Sequence, residues 1–221
     1  MWNITIKKED YFKLLSENIL IKDIYIKNNL KNYELLKKIV KLLAMTNKLL
    51  SAREIHKILN YNNVAVSHIT TIEYLDYILK SNIIKKVYRL DLKQDNISTG
   101  KAKYLFSYSN IRKSILNWKI NKYILNENIV YEALMKMWKD WIYTWKNWTF
   151  NFSFISGKNI IHISSHNDKN EIKKEINKLK KIEWTFNKYL IVNSIKEIWI
   201  RQSTYLPLKV LEIEDFLKEV K

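Results

Sequence analysis

The sequence predicts an α+β protein built as two small domains, a helical half that closes with a β-ribbon and an α/β half around a mixed sheet. Three observations carry this. Apolar residues recur at helical spacing in three successive runs between Leu35 and Leu79, and two strand-like runs follow. From Glu127 onward the pattern reads helix, three-strand meander, helix, strand, an order that calls for a central mixed sheet. With 221 residues, 47% of them hydrophobic, the chain has enough apolar side chain to fill both cores.

Taken in order, residues 1–30 form a helical N-terminal segment carrying Phe12, Leu15, Ile19 and Ile24 at mixed spacing. The next helix is better marked: Leu35, Leu36, Ile39, Val40 and Leu43 make one face and Lys37, Lys38 and Lys41 stay outside it. Ser51 with Glu54 predicts a capping box for a short helix bearing Ile55, Ile58 and Leu59. The polar residues 60–63 break the chain, and Ile69, Ile72, Leu75, Ile78 and Leu79 mark a third helix. Residues 83–92 and 103–106 read as a strand pair around a polar loop, 93–100.

Three helices and a two-stranded wing, spanning 31–110, follow the order of a winged helix-turn-helix. Lys80, Lys85, Lys86, Arg89, Lys93, Lys101 and Lys103 make the wing basic, so these are the candidate DNA-contacting residues. The third helix is different. No Lys or Arg occurs from Leu59 through Leu79, while Glu73 and Asp76 would oppose phosphates. Backbone contact through the wing and protein packing through the third helix are therefore expected.

Residues 111–126 are expected to be a helix and connector, and 127–221 the second domain. There a helix with Ile129, Val130, Ala133 and Leu134 leads into an aromatic strand around Tyr143 and Trp145, then a hairpin. Phe150, Phe152 and Phe154 alternate with Thr149, Asn151 and Ser153, Gly157 sits in the turn, and residues 160–164 return. This alternation puts Asn151, His162 and Ser164 on one face, where chemistry is expected. Residues 171–181 form an amphipathic helix with Ile172, Ile176 and Leu179 inward; 189–192 and 197–200 are strands, and 210–220 a closing helix. His162 and His166, four apart on a strand running into a loop, do not share a face and predict no metal site, and His56 and His68 read as helix-surface residues. Trp138, Trp141, Tyr143, Trp145 and Trp148 are expected in the core rather than as a base-stacking platform.

The formal charge of +17 makes an acidic partner, nucleic acid above all, the natural expectation, although abundant Lys, Ile and Asn also fit AT-rich codon bias on solvated faces. No apolar run has membrane-spanning length and no cysteine is present, so a soluble, cytoplasmic protein without a membrane partner is expected. Two glycines stand against eight tryptophans, where average usage would give roughly fifteen glycines. Trp118, Trp138 and Trp148 fall where turns or helix ends favour glycine, which fits either UGA codons that mean glycine in the source's genetic code or an ordinary aromatic-rich sequence.

Several strings together resemble a known family. They are Ile21-Lys22-Asp23-Ile24, Asn32-Tyr33-Glu34-Leu35-Leu36, Lys103-Tyr104-Leu105-Phe106, and Asn126-Glu127-Asn128-Ile129-Val130-Tyr131-Glu132-Ala133-Leu134. Tyr143-Thr144-Trp145, Leu206-Pro207-Leu208 and Phe216-Leu217 complete the set. The chain resembles the C-terminal domain of unknown function that follows an AAA-type ATPase domain in many bacterial and archaeal ATPases. The resemblance implies a winged helix followed by a restriction-endonuclease-like fold whose hairpin carries an Asp and then Glu-x-Lys to hold Mg²⁺. Here Asn151 stands at the Asp, His162 at the Glu and Ser164 at the Lys. Hard carboxylate oxygens and a cation are what the metal and phosphate need, so the resemblance implies an inactive nuclease, with Glu127 and Glu132 as residual acids, no bound metal and no cofactor. The ATPase half has no counterpart: Gly100-Lys101-Ala102 lacks the spacing and hydroxyl of a P-loop, and residues 1–20 read as a remnant of the ATPase lid. The expected function is a non-catalytic accessory domain that binds DNA weakly and non-specifically, docks on a separately encoded AAA-type ATPase domain, or both. The alternatives are a nuclease rearranged around Glu127, Glu132 and Asp168, or a pure protein-interaction module.

Overall fold

A computed structural model describes residues 7–91, 96–138, 142–146, 151–182, 185–194 and 208–219. The chain is mixed α/β and divides into two compact units, one of residues 1–87 and 100–128, the other of 88–99 and 129–221. Residues 111–126, expected as a connector, contribute buried Ile111, Arg112 and Ser114 to the first unit. No helix among the described residues is long and apolar enough to cross a membrane.

The first unit opens with α1 (Lys8–Asn18), which runs into a π-helical segment, Ile19–Ile26. Helices α2 (Tyr33–Met45), α3 (Ala52–Tyr61) and α4 (His68–Lys80) follow. Each begins where a side chain satisfies a free N–H of the first turn. Asn32 Oδ1 accepts from the Leu35 amide at 2.9 Å, and Ser67 Oγ from Thr70 at 3.0 Å. Ser51 and Glu54 close the expected box in both directions, at 3.2 and 2.8 Å. Asn63, at φ 58°, turns the chain between α3 and α4. Leu36, Ile39, Val40 and Leu43 of α2 meet Ile55 and Leu59 of α3 and Leu75 and Ile78 of α4 in one core. Full burial of such a side chain contributes about 1.5–3 kcal/mol. Ile69 and Ile72, expected on the inward face of α4, are instead exposed; Thr71 and Tyr74 take their place. The stripe is rotated because Tyr74 anchors α4, its hydroxyl receiving the Asn32 amide at 3.0 Å.

Strands β1 (Ile84–Asp91) and β2 (Asn96–Phe106) form the ribbon, longer on its returning side than its apolar residues alone predict. Leu50, between α2 and α3, makes an antiparallel bridge with Ala102 through two backbone hydrogen bonds of 2.9 and 3.0 Å. The short helix α5 (Ser109–Ile115) ends in a turn with two consecutive left-handed residues, Asn117 at φ 48° and Trp118 at φ 63°. Helix α6 (Lys122–Trp138) begins five residues before Glu127, since the Asn121 side chain already receives the Tyr123 amide at 2.8 Å.

In the second unit the strands are β3 (Tyr143–Lys146), β4 (Asn151–Ser156), β5 (Asn159–Ile163), β6 (Asn187–Val192) and β7 (Leu208–Glu212). The sheet order is β2-β1-β3-β4-β5-β6-β7. The meander β3-β4-β5 is antiparallel, and β6 and β7 run parallel to β5. Gly157, at φ 52°, occupies the first position of the two-residue β4–β5 loop, where a left-handed residue matches the strand twist. Helix α7 (Lys169–Lys180) crosses from β5 to β6 and buries Ile172, Ile176 and Leu179 against Ile155, Ile160, Leu190 and Val192. On the other face Tyr131 of α6 lies 6.0 Å from Phe154, and Phe216 of α8 (Ile213–Glu219) 5.8 Å from Tyr189. The expected helix over 210–220 thus starts late. Leu208 and Val210 pair with Lys188 and Leu190 in the sheet, a distant partnership that helical periodicity cannot reveal. Thr149, Phe150, Trp141, Trp148, Leu206, Pro207 and the strand expected at 197–200 lie outside the described residues.

Candidate functional site

Strand β5 has both faces buried, and this changes the meaning of the hairpin. His162 and Ser164 do share a face, but they share it with Ile160, beneath α7. His162 is 5% exposed and Ser164 3%. Opposite them α7 inserts Glu175, 4% exposed, whose Oε1 lies 3.4 Å from His162 Nε2. Ser164 Oγ receives the His166 amide at 3.1 Å. Ser153 Oγ, on β4, receives the Ile163 amide at 3.1 Å. Burial pushes the Glu175 carboxyl up, yet His162, Ser164 and the charge of His166 outweigh it and hold it below its ordinary value. The other oxygen, Oε2, has no hydrogen-bond partner among the described residues. The arrangement is an internal polar tether between helix and strand, closed to a phosphodiester. Asn151 enters through its backbone, opposite Lys146 in the β3–β4 ladder; its side chain lies outside the described residues.

The residual acids are engaged elsewhere. Glu127 is fully buried and paired with Lys103. Glu132 sits 3.5 Å from Lys136, one turn on along α6. Asp168 caps α7, its Oδ1 accepting the amides of Asn170 and Glu171 at 2.9 and 3.0 Å. Among the described residues no group of three or more His, Cys, Asp or Glu is placed to hold a metal. His56 and His68 stack edge-on at 5.5 Å at the surface of α3 and α4, and His166 is exposed in the loop after β5.

The lysines expected to touch DNA are partly engaged within the protein. Lys80 is paired with Asp76 at 2.6 Å and Lys101 with Glu54, whose carboxyl is pushed down to about 2 chiefly by that lysine and then by the Ser51 amide. Lys103, with its side chain only 12% exposed, is drawn inward by Glu127 and leaves the set expected to touch phosphate. Lys85 reaches the Asn82 side chain. Lys86 is exposed and Arg89 half-buried, while Lys93 lies outside the described residues.

Two features escaped the sequence reading. Glu175 falls inside the stripe of Ile172, Ile176 and Leu179, and an acid in an apolar helical row is the signal that would have found it. Arg112, one of four arginines in a lysine-rich chain, is fully buried. Its Nε donates to Ala44 O at 3.0 Å, one terminal nitrogen to Thr46 O at 2.6 Å, and the other to Asn128 Oδ1 at 3.1 Å. Asn128 in turn receives the Phe106 amide at 2.9 Å and donates to its carbonyl at 3.0 Å. A planar fork with several donors serves these acceptors where lysine would not. Burial pulls the guanidinium down to about 10, opposed by Glu127, which leaves it charged at neutral pH. Comparison with family models, with curated proteins and with solved structures finds no match for this chain.

Proposed function

We propose that the chain is a non-catalytic accessory module, a winged helix-turn-helix joined to a restriction-endonuclease-like fold whose hairpin no longer carries a metal site. The observation that carries this reading is the burial of His162 and Ser164 beneath α7, with Glu175 facing them from the helix. Side chains packed in that way serve cohesion rather than hydrolysis. The winged-helix reading is supported by α2, the Leu50–Ala102 bridge, α3, α4 and the ribbon in that order. Helix α6, the meander, α7 and β6 support the nuclease-like reading.

Binding to DNA in this reading is weak and runs through Lys85, Lys86 and Arg89, since Lys80, Lys101 and Lys103 are paired with carboxylates. Helix α4 serves protein contact, because its exposed Ile69 and Ile72 offer a duplex no charge. The family resemblance supplies the partner class, a separately encoded AAA-type ATPase domain. Plasmid incubated with the protein and Mg²⁺ or Mn²⁺ is expected to stay intact; cleavage lost in Glu132→Ala would establish the rearranged nuclease instead. The salt dependence of duplex binding is expected to be shallow, with a log–log slope of no more than about −3 for two or three phosphate contacts. No salt-dependent binding at all would reduce the module to protein contact alone.

A further inference from the structure

A cleft of about 640 Å³ opens in the first unit. Its walls are α1 with the π-helical segment on one side and α2 on the other, and Ser114, Ile115 and Asn117 close its base. The lining has two characters. Leu20, Ile21 and Val40, with the Tyr33 ring, provide an apolar surface, while Lys13 lines the cleft from α1 and Lys37, Lys38 and Lys41 line it from α2. Glu34 is held by Lys37 at 2.5 Å, and that ammonium lies 5.1 Å from the centre of the Tyr33 ring. Lys13, Lys38 and Lys41 make no ion pair among the described residues. Glu17 is the remaining carboxylate of the lining.

Ammonium groups on two walls of one concavity repel each other, and an anion placed between them relieves that repulsion. The volume falls in the range of small-molecule sites, about 300–1,000 Å³. The hydroxyls at the floor do not select the ligand, because Ser16 donates to the Lys13 carbonyl at 2.9 Å and lies 3.1 Å from Ser114 Oγ. Recognition falls to the lysines and the apolar wall. We infer that the cleft binds an organic phosphate, its charged head bracketed by Lys13, Lys38 and Lys41 and its apolar or aromatic body against Leu20, Ile21 and Tyr33. A dianionic head suits cations arriving from two sides better than a single carboxylate does, since Glu17 already offsets one charge. A bare polyphosphate would leave the apolar wall in water.

Calorimetric titration of the full chain at low salt tests this with phenyl phosphate, inorganic phosphate and benzyl alcohol as probes. Phenyl phosphate is expected to bind about tenfold tighter than inorganic phosphate, from partial burial of its ring, and benzyl alcohol not to bind. The double variant Lys38→Ala/Lys41→Ala, at two exposed positions, should weaken phenyl phosphate roughly tenfold, and Glu17→Gln should tighten it about twofold. Lys86→Ala/Arg89→Ala should leave it unchanged, separating the cleft from the wing. Equal affinity for phenyl phosphate and inorganic phosphate, or unchanged binding by the lysine double variant, would overturn the proposal.

Discussion

Trp118 shows what a single residue discloses. It follows left-handed Asn117, itself sits at φ 63°, and its amide closes the end of α5 on the Lys113 carbonyl at 2.8 Å. A bulky aromatic there costs about 1–2 kcal/mol that glycine avoids, while the Lys113 ammonium 5.6 Å from its ring returns part of it. Trp118→Gly is therefore expected to raise unfolding stability in urea by roughly 0.5–1 kcal/mol. The codon at 118 is expected to be UGA; UGG there would end the genetic-code explanation. Arg112 is the opposite case, a residue the fold cannot release. Its guanidinium terminates α2 by binding the Ala44 and Thr46 carbonyls in place of water. Arg112→Met leaves those carbonyls without their donor and Asn128 Oδ1 with the Phe106 amide alone, a loss of about 3–5 kcal/mol measured by denaturant unfolding.

At the scale of elements, α7 is held to the sheet by an apolar row interrupted by one acid. The Glu175 carboxyl titrates below its ordinary value of 4.5 in the folded state. Its contribution to stability is thus complete above that ordinary value and is lost as pH falls through the lower folded one. Glu175→Gln is expected to flatten the dependence of stability on pH in this acidic window, read from urea midpoints along a pH series. An unchanged slope would remove the tether to His162. In α4, Ser67→Ala is expected to cost about 1 kcal/mol in thermal unfolding through loss of the bond to the Thr70 amide. Elements of this local kind were the legible ones. Ser51 and Glu54 lie within one turn of each other, so their pairing is written in adjacent letters, as is the Gly157 hairpin. What stayed hidden depends on distant partners. Val210 looks helical until Leu190 pairs with it, and Ile69 looks buried until Tyr74 fixes the rotation of α4. The candidate site was half legible: the shared face of His162 and Ser164 follows from alternation, but its cover comes from α7, and no local pattern says which sheet face a crossover helix will lie on.

For the molecule as a whole, the +17 charge, 39 lysines and arginines less 22 acids, does not say where a polyanion would meet cations. Lys80, Lys101 and Lys103 answer to Asp76, Glu54 and Glu127, so net charge describes solubility and encounter better than it describes a binding surface. The path of the chain bears on how the protein can be dissected. Residues 88–99 belong to the second unit although both of their flanks belong to the first, and Arg89 and Leu90 pair with Thr144 and Trp145. A polypeptide starting at residue 129 would therefore lack the neighbour of β3 and present an open, aromatic strand margin prone to self-association. Expressed alone it is expected to precipitate, and to recover solubility when a peptide spanning 84–106 is supplied in trans.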